Sequence, residues 1–95
     1  MFKNLDPLLH SPLRLAIVSL LVTKKKAEFN YLKDMCDASA GNLSVQITKL
    51  EEAGYIKVEK GYKGKRPLTT CAITNQGKKA FSQYVEALKG YIEPD

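Results

Sequence analysis

Between Ser39 and Gly54 lies the segment that most restricts what this chain can fold into. Leu43, Ile47 and Leu50 recur at helical spacing, so one narrow stripe is apolar and calls for burial. Ser39 offers a hydroxyl that can cap the helix start. Gly54 can end the helix in the left-handed conformation. The opposite face, through Gly41, Val45, Thr48 and Glu52, is small or polar and mostly uncharged. A solvated structural helix would normally carry ion pairs there. This face offers hydrogen bonds and methyl contacts without bulk, as a helix lying in a DNA major groove requires.

The preceding residues are patterned as a support for that helix. Leu5 to His10 is an apolar lead-in, with Pro7 preventing a long helix. Ser11-Pro12 marks a helix start, a capping hydroxyl followed by proline at the first helical position. This helix is expected through Leu21, with Leu13, Ile17, Leu20 and Leu21 facing inward. Leu9, Leu15 and Val18 lie off that stripe and leave surplus apolar surface for a partner. Thr23 to Lys26 reads as a solvated loop and Ala27 to Phe29 as a very short strand. Asn30 is expected to cap a helix through Cys36 with Leu32, Met35 and Cys36 inward, and Asp37-Ala38 then connects to Ser39. A short helix, a brief turn and a longer helix make a helix-turn-helix, whose second helix enters the groove by its N-terminal half.

After Gly54 the pattern changes period. Tyr55 to Lys60 alternates as a strand with one buried face. Tyr62 to Pro67 holds turn residues, with Gly61 and Gly64 permitting positive φ, and Leu68 to Ile73 is a β-branched returning strand. The pair predicts a hairpin with a basic, glycine-bearing tip. Thr74 caps a last helix with Gly77, Phe81, Tyr84, Val85, Leu88 and Ile92 at helical spacing, fraying near Gly90 and ending before Pro94.

Ninety-five residues accommodate one core, so residues 1–95 read as a single domain. The net charge of +5 favours an anionic partner, and its placement is more informative than its size. From Tyr55 to Ala72 five cations (Lys57, Lys60, Lys63, Lys65, Arg66) face one anion, Glu59, whereas Ser39 to Gly54 holds Lys49 against Glu51 and Glu52. No segment resembles a signal peptide or is long enough to span a bilayer, which predicts a cytoplasmic protein that does not engage membranes. Cys36, Cys71 and the lone His10 make no disulfide framework and no zinc site. One histidine, no nucleophile–base pair and no phosphate-cradling glycine loop argue against an enzyme, and no cofactor is expected.

Several motifs then line up. Leu50-Glu51-Glu52-Ala53-Gly54-Tyr55-Ile56 resembles the junction between recognition helix and wing in MarR-like and ArsR-like transcriptional regulators. Gly41-Asn42-Leu43-Ser44, Lys63 to Thr70 and Ile73 to Gly77 resemble the recognition-helix start, the wing and the beginning of the last helix in a compact MarR-related subgroup. Leu5-Asp6-Pro7 and Ser11 to Leu15 fit its opening. Each motif alone is weak; their collinear order covers nearly the whole chain. The resemblance implies an α+β winged helix-turn-helix: a three-helix core, a two-stranded hairpin wing and a C-terminal dimerisation helix. It also implies a homodimeric repressor or activator that binds double-stranded DNA.

Within that frame each candidate residue has a role. Asn42 can pair bidentately with adenine, and Lys49 can reach guanine or phosphate. Ser44, Gln46 and Thr48 offer shorter polar contacts, and Val45 a thymine-methyl contact. Ser39 and Ala40 bring backbone N–H groups suited to a phosphate. Lys63, Lys65 and Arg66 are assigned to phosphates or the minor groove, assisted by Lys60 and Tyr62. Leu8, Leu9, Leu15, Val85, Leu88 and Ile92 are the candidate dimer interface. The rival reading is a winged helix that docks a protein instead of DNA. Neither the operator nor a small-molecule effector can be read from these residues.

Overall fold

Leu43, Ile47 and Leu50 are buried as the sequence requires, and the other elements close around them. The computed structural model describes residues 2–93. These form α1 (Pro12–Lys24), β1 (Lys26–Glu28), α2 (Phe29–Met35), α3 (Ala40–Glu52), β2 (Ile56–Lys63), β3 (Arg66–Ile73) and α4 (Asn75–Ile92). The strands make one antiparallel sheet in the order β1-β3-β2. The core is built from Ile17, Val18 and Leu21 of α1, Leu32 of α2, the α3 stripe, Ile56 and Cys71 of the sheet, and Ala80 and Tyr84 of α4. The expected winged helix-turn-helix is thus the architecture observed, with β1 as a third strand beside the hairpin.

Several local expectations are corrected. Helix α1 runs one turn further, to Lys24, and Lys26 begins β1, so the lysine run is not a loop. Lys25 alone makes the break, at φ 73°, with its N–H still bonded to the Leu21 carbonyl at 2.7 Å. Ser11 stands at the N-cap of α1 with Pro12 after it, but its hydroxyl makes no capping bond. Val18 and Leu9 are fully buried, because α1 packs against α3, α4 and the sheet at once and so buries more than one stripe. Helix α2 begins at Phe29, with Glu28 and not Asn30 at its N-cap. It is two turns long and fully buries only Leu32, leaving Met35 57% exposed. Helix α4 passes through Gly90 and ends at Ile92; Pro94 lies outside the described residues.

Candidate nucleic-acid interface

Helix α3 is fixed at both ends by its own sequence. The Ser39 hydroxyl accepts from the Asn42 N–H at 3.1 Å, the expected cap. At the other end Gly54 takes φ +81°, its N–H meets the Glu51 carbonyl at 2.9 Å, and the Tyr55 N–H meets Leu50 at 3.0 Å. Those two bonds are the Schellman termination, which needs a left-handed residue at this position. The turn before α3 repeats the pattern without glycine: Asp37 sits at φ 49°, and the Asp37 and Ala38 N–H groups bond back to Asp34 and Lys33.

The junction after α3 is pinned again by residues remote in sequence. The Thr74 hydroxyl lies 2.6 Å from the Gly54 carbonyl and 3.0 Å from that of Tyr55, and it accepts the Gly77 N–H at 3.0 Å to cap α4. A Cβ on Gly77 would fall 2.1 Å from the Tyr55 carbonyl oxygen, so only glycine permits this contact. The Tyr55 hydroxyl donates to the Asp6 carboxylate, whose other oxygen accepts the Leu8 N–H at 2.9 Å. Burial, that hydrogen bond and the Asp6 charge push the Tyr55 phenol up to about 12.

With the helix held, its outward face can be read residue by residue. Ser39, Ala40, Asn42, Ser44, Val45, Thr48 and Lys49 are all exposed, Val45 by 51%. The Thr48 hydroxyl bonds to the Ser44 carbonyl at 3.0 Å, within the helix. Gln46 differs from its neighbours. It is half-buried, turned toward α1, and its Oε1 accepts from Arg14 Nη1 at 2.6 Å while its Nε2 donates to Asn42 Oδ1 at 3.0 Å. Arg14 is the residue the sequence reading passed over. Its signal was a lone charge inside an otherwise apolar helix start, and its Nε also donates to the Leu8 carbonyl at 2.6 Å.

The wing is longer and tighter than expected. β2 and β3 pair without interruption from Ile56–Ile73 to Lys63–Arg66, leaving Gly64-Lys65 as a two-residue turn. Gly64 adopts φ +65° at the first turn position, as a type II′ hairpin demands. Gly61 is not a turn residue; it pairs with Leu68 within the ladder. Pro67 sits in the ladder opposite Tyr62, where β1, which reaches only Thr70, leaves β3 with an open side. Every residue from Glu59 to Pro67 is exposed, Tyr62 by 76%. Among the described residues the ion pairs are Lys33–Asp34 and Lys89–Glu86, so Lys57, Lys60, Lys63, Lys65 and Arg66 have no acidic partner there.

The candidate dimer residues divide. Leu9 is fully buried within its own chain, a core residue and not an interface one, because the turn formed at Asp6 folds it under α1. Leu8, Leu15, Val85 and Leu88 are half-buried and Ile92 is 68% exposed. Phe2 stacks on Tyr91 with ring centroids 4.8 Å apart, and the Tyr91 hydroxyl reaches the Lys3 carbonyl at 2.8 Å, so the N-terminal arm lies along the end of α4.

Comparison with known proteins agrees with this geometry. The model of a family described as a winged helix DNA-binding domain matches residues 13–92. An uncharacterized protein of Methanocaldococcus jannaschii is 38% identical over 76 residues, spanning 80% of this chain and 83% of that one. A transcriptional regulator homologue from Pyrococcus horikoshii is 32% identical and superposes with a TM-score of 0.84, covering 90% of this chain and 85% of that one. The structure of reduced AbfR bound to DNA superposes with a TM-score of 0.71 at 22% identity, over 81% of this chain and 53% of AbfR. At that identity the likeness concerns the fold.

Proposed function

Since the chain belongs to the winged helix DNA-binding domain family, we propose that it is a sequence-specific regulator of transcription that binds duplex DNA as a homodimer. In this reading α3 lies in the major groove and the β2–β3 wing follows the backbone or enters the minor groove. The observation that carries the reading is a division of labour across one surface. A mostly uncharged, exposed α3 face, with Lys49 and Glu52 its charged members, stands on the same chain as a hairpin whose cations lack acidic partners among the described residues. Base edges supply specificity and phosphates supply most of the affinity, so two such surfaces together suit DNA better than either alone. That AbfR, of the same fold, was solved on DNA adds support.

Asn42, Ser44, Val45, Thr48 and Lys49 are the proposed base-facing residues, Ser39 and Ala40 the phosphate contacts at the helix start, and Lys60, Tyr62, Lys63, Lys65 and Arg66 the wing contacts. Leu8, Leu15, Val85, Leu88 and Ile92 remain the proposed dimer face. The mechanism needs no cofactor, and the proposed compartment is the cytoplasm. No helix among the described residues is long and apolar enough to cross a membrane.

The test is duplex binding across a salt series, on random DNA and on sites selected from random DNA. Affinity should fall steeply with salt, and Arg66→Ala should reduce the slope of log affinity against log salt by about one. Selected sites should be pseudo-palindromic, with half-site centres about one helical turn apart. Absent or salt-insensitive binding would leave the protein-docking module as the correct reading.

A further inference from the structure

The hydrogen bonds around Gln46 contain directional information that donor chemistry alone fixes. A guanidinium only donates, so the Gln46 atom 2.6 Å from Arg14 Nη1 has to be the carbonyl oxygen. The other end of that amide is then the NH₂, and it has to meet an acceptor on Asn42, which is Oδ1 at 3.0 Å. Asn42 therefore turns its own NH₂ away from Gln46. Arg14 is itself held by the Leu8 carbonyl at 2.6 Å. One chain of hydrogen bonds, in which Arg14 donates to both the lead-in and Gln46, links α1 to an exposed side chain near the start of α3.

We infer that Arg14 and Gln46 are positioning residues that set which end of the Asn42 amide faces DNA, and so which bases it accepts. This rests on Asn42 being a base contact, as proposed above. With the NH₂ outward, Asn42 favours base edges carrying acceptors: guanine N7 and O6, adenine N7 or thymine O4. Cytosine, whose major-groove edge offers the N4 donor, is disfavoured at that position.

The substitution that separates this from a merely structural role is Gln46→Glu. A carboxylate still accepts from Arg14, which preserves the link to α1, but it cannot donate to Asn42. The Asn42 NH₂ then turns toward the carboxylate and its oxygen turns outward. The preference at one position of each half-site should move from acceptor-bearing edges to cytosine, whose major-groove edge offers the N4 donor. Arg14→Met should relax the same position without moving it to the opposite chemistry.

Site selection from random DNA with wild type, Gln46→Glu, Arg14→Met and Asn42→Ala decides the matter. The readout is the relative base preference at each position, which the added charge of the Glu variant does not mimic. We expect Asn42→Ala to erase a preference of roughly fivefold to a hundredfold at one position. Gln46→Glu should invert it. If Asn42→Ala leaves every position unchanged, the base-reading role fails and the relay with it. If Asn42→Ala erases the preference while Gln46→Glu keeps the wild-type base, Asn42 reads DNA but the relay is overturned. Should Arg14→Met fail to fold, Gln46→Glu decides alone.

Discussion

Helix α3 and the outer wing are proposed to meet the same ligand, yet they are held by opposite means. Helix α3 places three large side chains in the core, is capped by Ser39, and is terminated by Gly54 against the start of α4. The hairpin beyond Val58 fully buries no side chain: Glu59 to Pro67 are exposed and only Leu68, Thr69 and Thr70, on the β1 side, are half-buried. Their charges are opposite too: α3 carries Lys49 against Glu51 and Glu52, and the hairpin beyond Val58 carries Lys60, Lys63, Lys65 and Arg66 against Glu59. Specific contacts need fixed geometry, whereas attraction to a line of phosphates tolerates movement. Each region has the support that its task demands.

That contrast can be broken most directly through stability. Leu43→Ala removes a fully buried side chain from beneath the reading surface and should cost about 2–5 kcal/mol. Tyr62→Ala, at an exposed wing position, should stay within about 0.5 kcal/mol. Urea unfolding of both variants measures the difference, and equal losses would show that the wing is part of the core after all.

Binding should give the converse. Replacing Lys63, Lys65 and Arg66 together by alanine should leave the unfolding midpoint unmoved and weaken binding to specific and random DNA alike. If all three meet phosphates, the salt slope should fall by about 2.7, since each phosphate contributes about 0.9. A loss confined to the selected site would mean that the wing reads sequence.

The smallest effect concerns the clamp behind α3. The folded protein holds the Tyr55 proton more tightly than an ordinary phenol at 10.0, up to about 12. A raised pKa means that the folded state binds more protons across that window, so the contribution is intact below pH 10 and is lost as pH rises toward 12. Tyr55→Phe should flatten that part of the alkaline unfolding curve while leaving wing-dependent affinity unchanged. Melting followed between pH 9 and 12 would check it.

Legibility in the sequence followed a similar division. Ser39, Thr74, Gly54 and Gly64 announced their roles because caps and left-handed turns depend on the residue itself. The α3 stripe was visible because one face of that helix is buried and the other is not. Helix α1 was harder: packed on several sides, it has no single stripe, and Val18 and Leu9 were misplaced. Beside the expected Gly77 and Tyr84, helix α4 buries Ala80 and Ala87, small residues that a search for bulky apolar positions passes over. The full length of the hairpin was hidden, since turn-prone Tyr62 and Pro67 join a ladder that needs no buried face. The wing cations and the exposed α3 face were visible, but Arg14 and the orientation of Gln46 were not. Those depend on two helices meeting across 32 positions of sequence.

The sheet order β1-β3-β2 has a consequence outside DNA binding. It leaves β2 along an open edge, with a row of backbone groups that another strand could pair with. Lys57, Lys60 and Lys63 lie along that edge, and a second copy approaching edge to edge would meet its own charges. Lys60 and Lys63, proposed above to attract phosphates, would by the same charge disfavour strand pairing between two copies of the chain. In the proposed reading, resistance to edge pairing and grip on a polyanion would draw on the same two side chains.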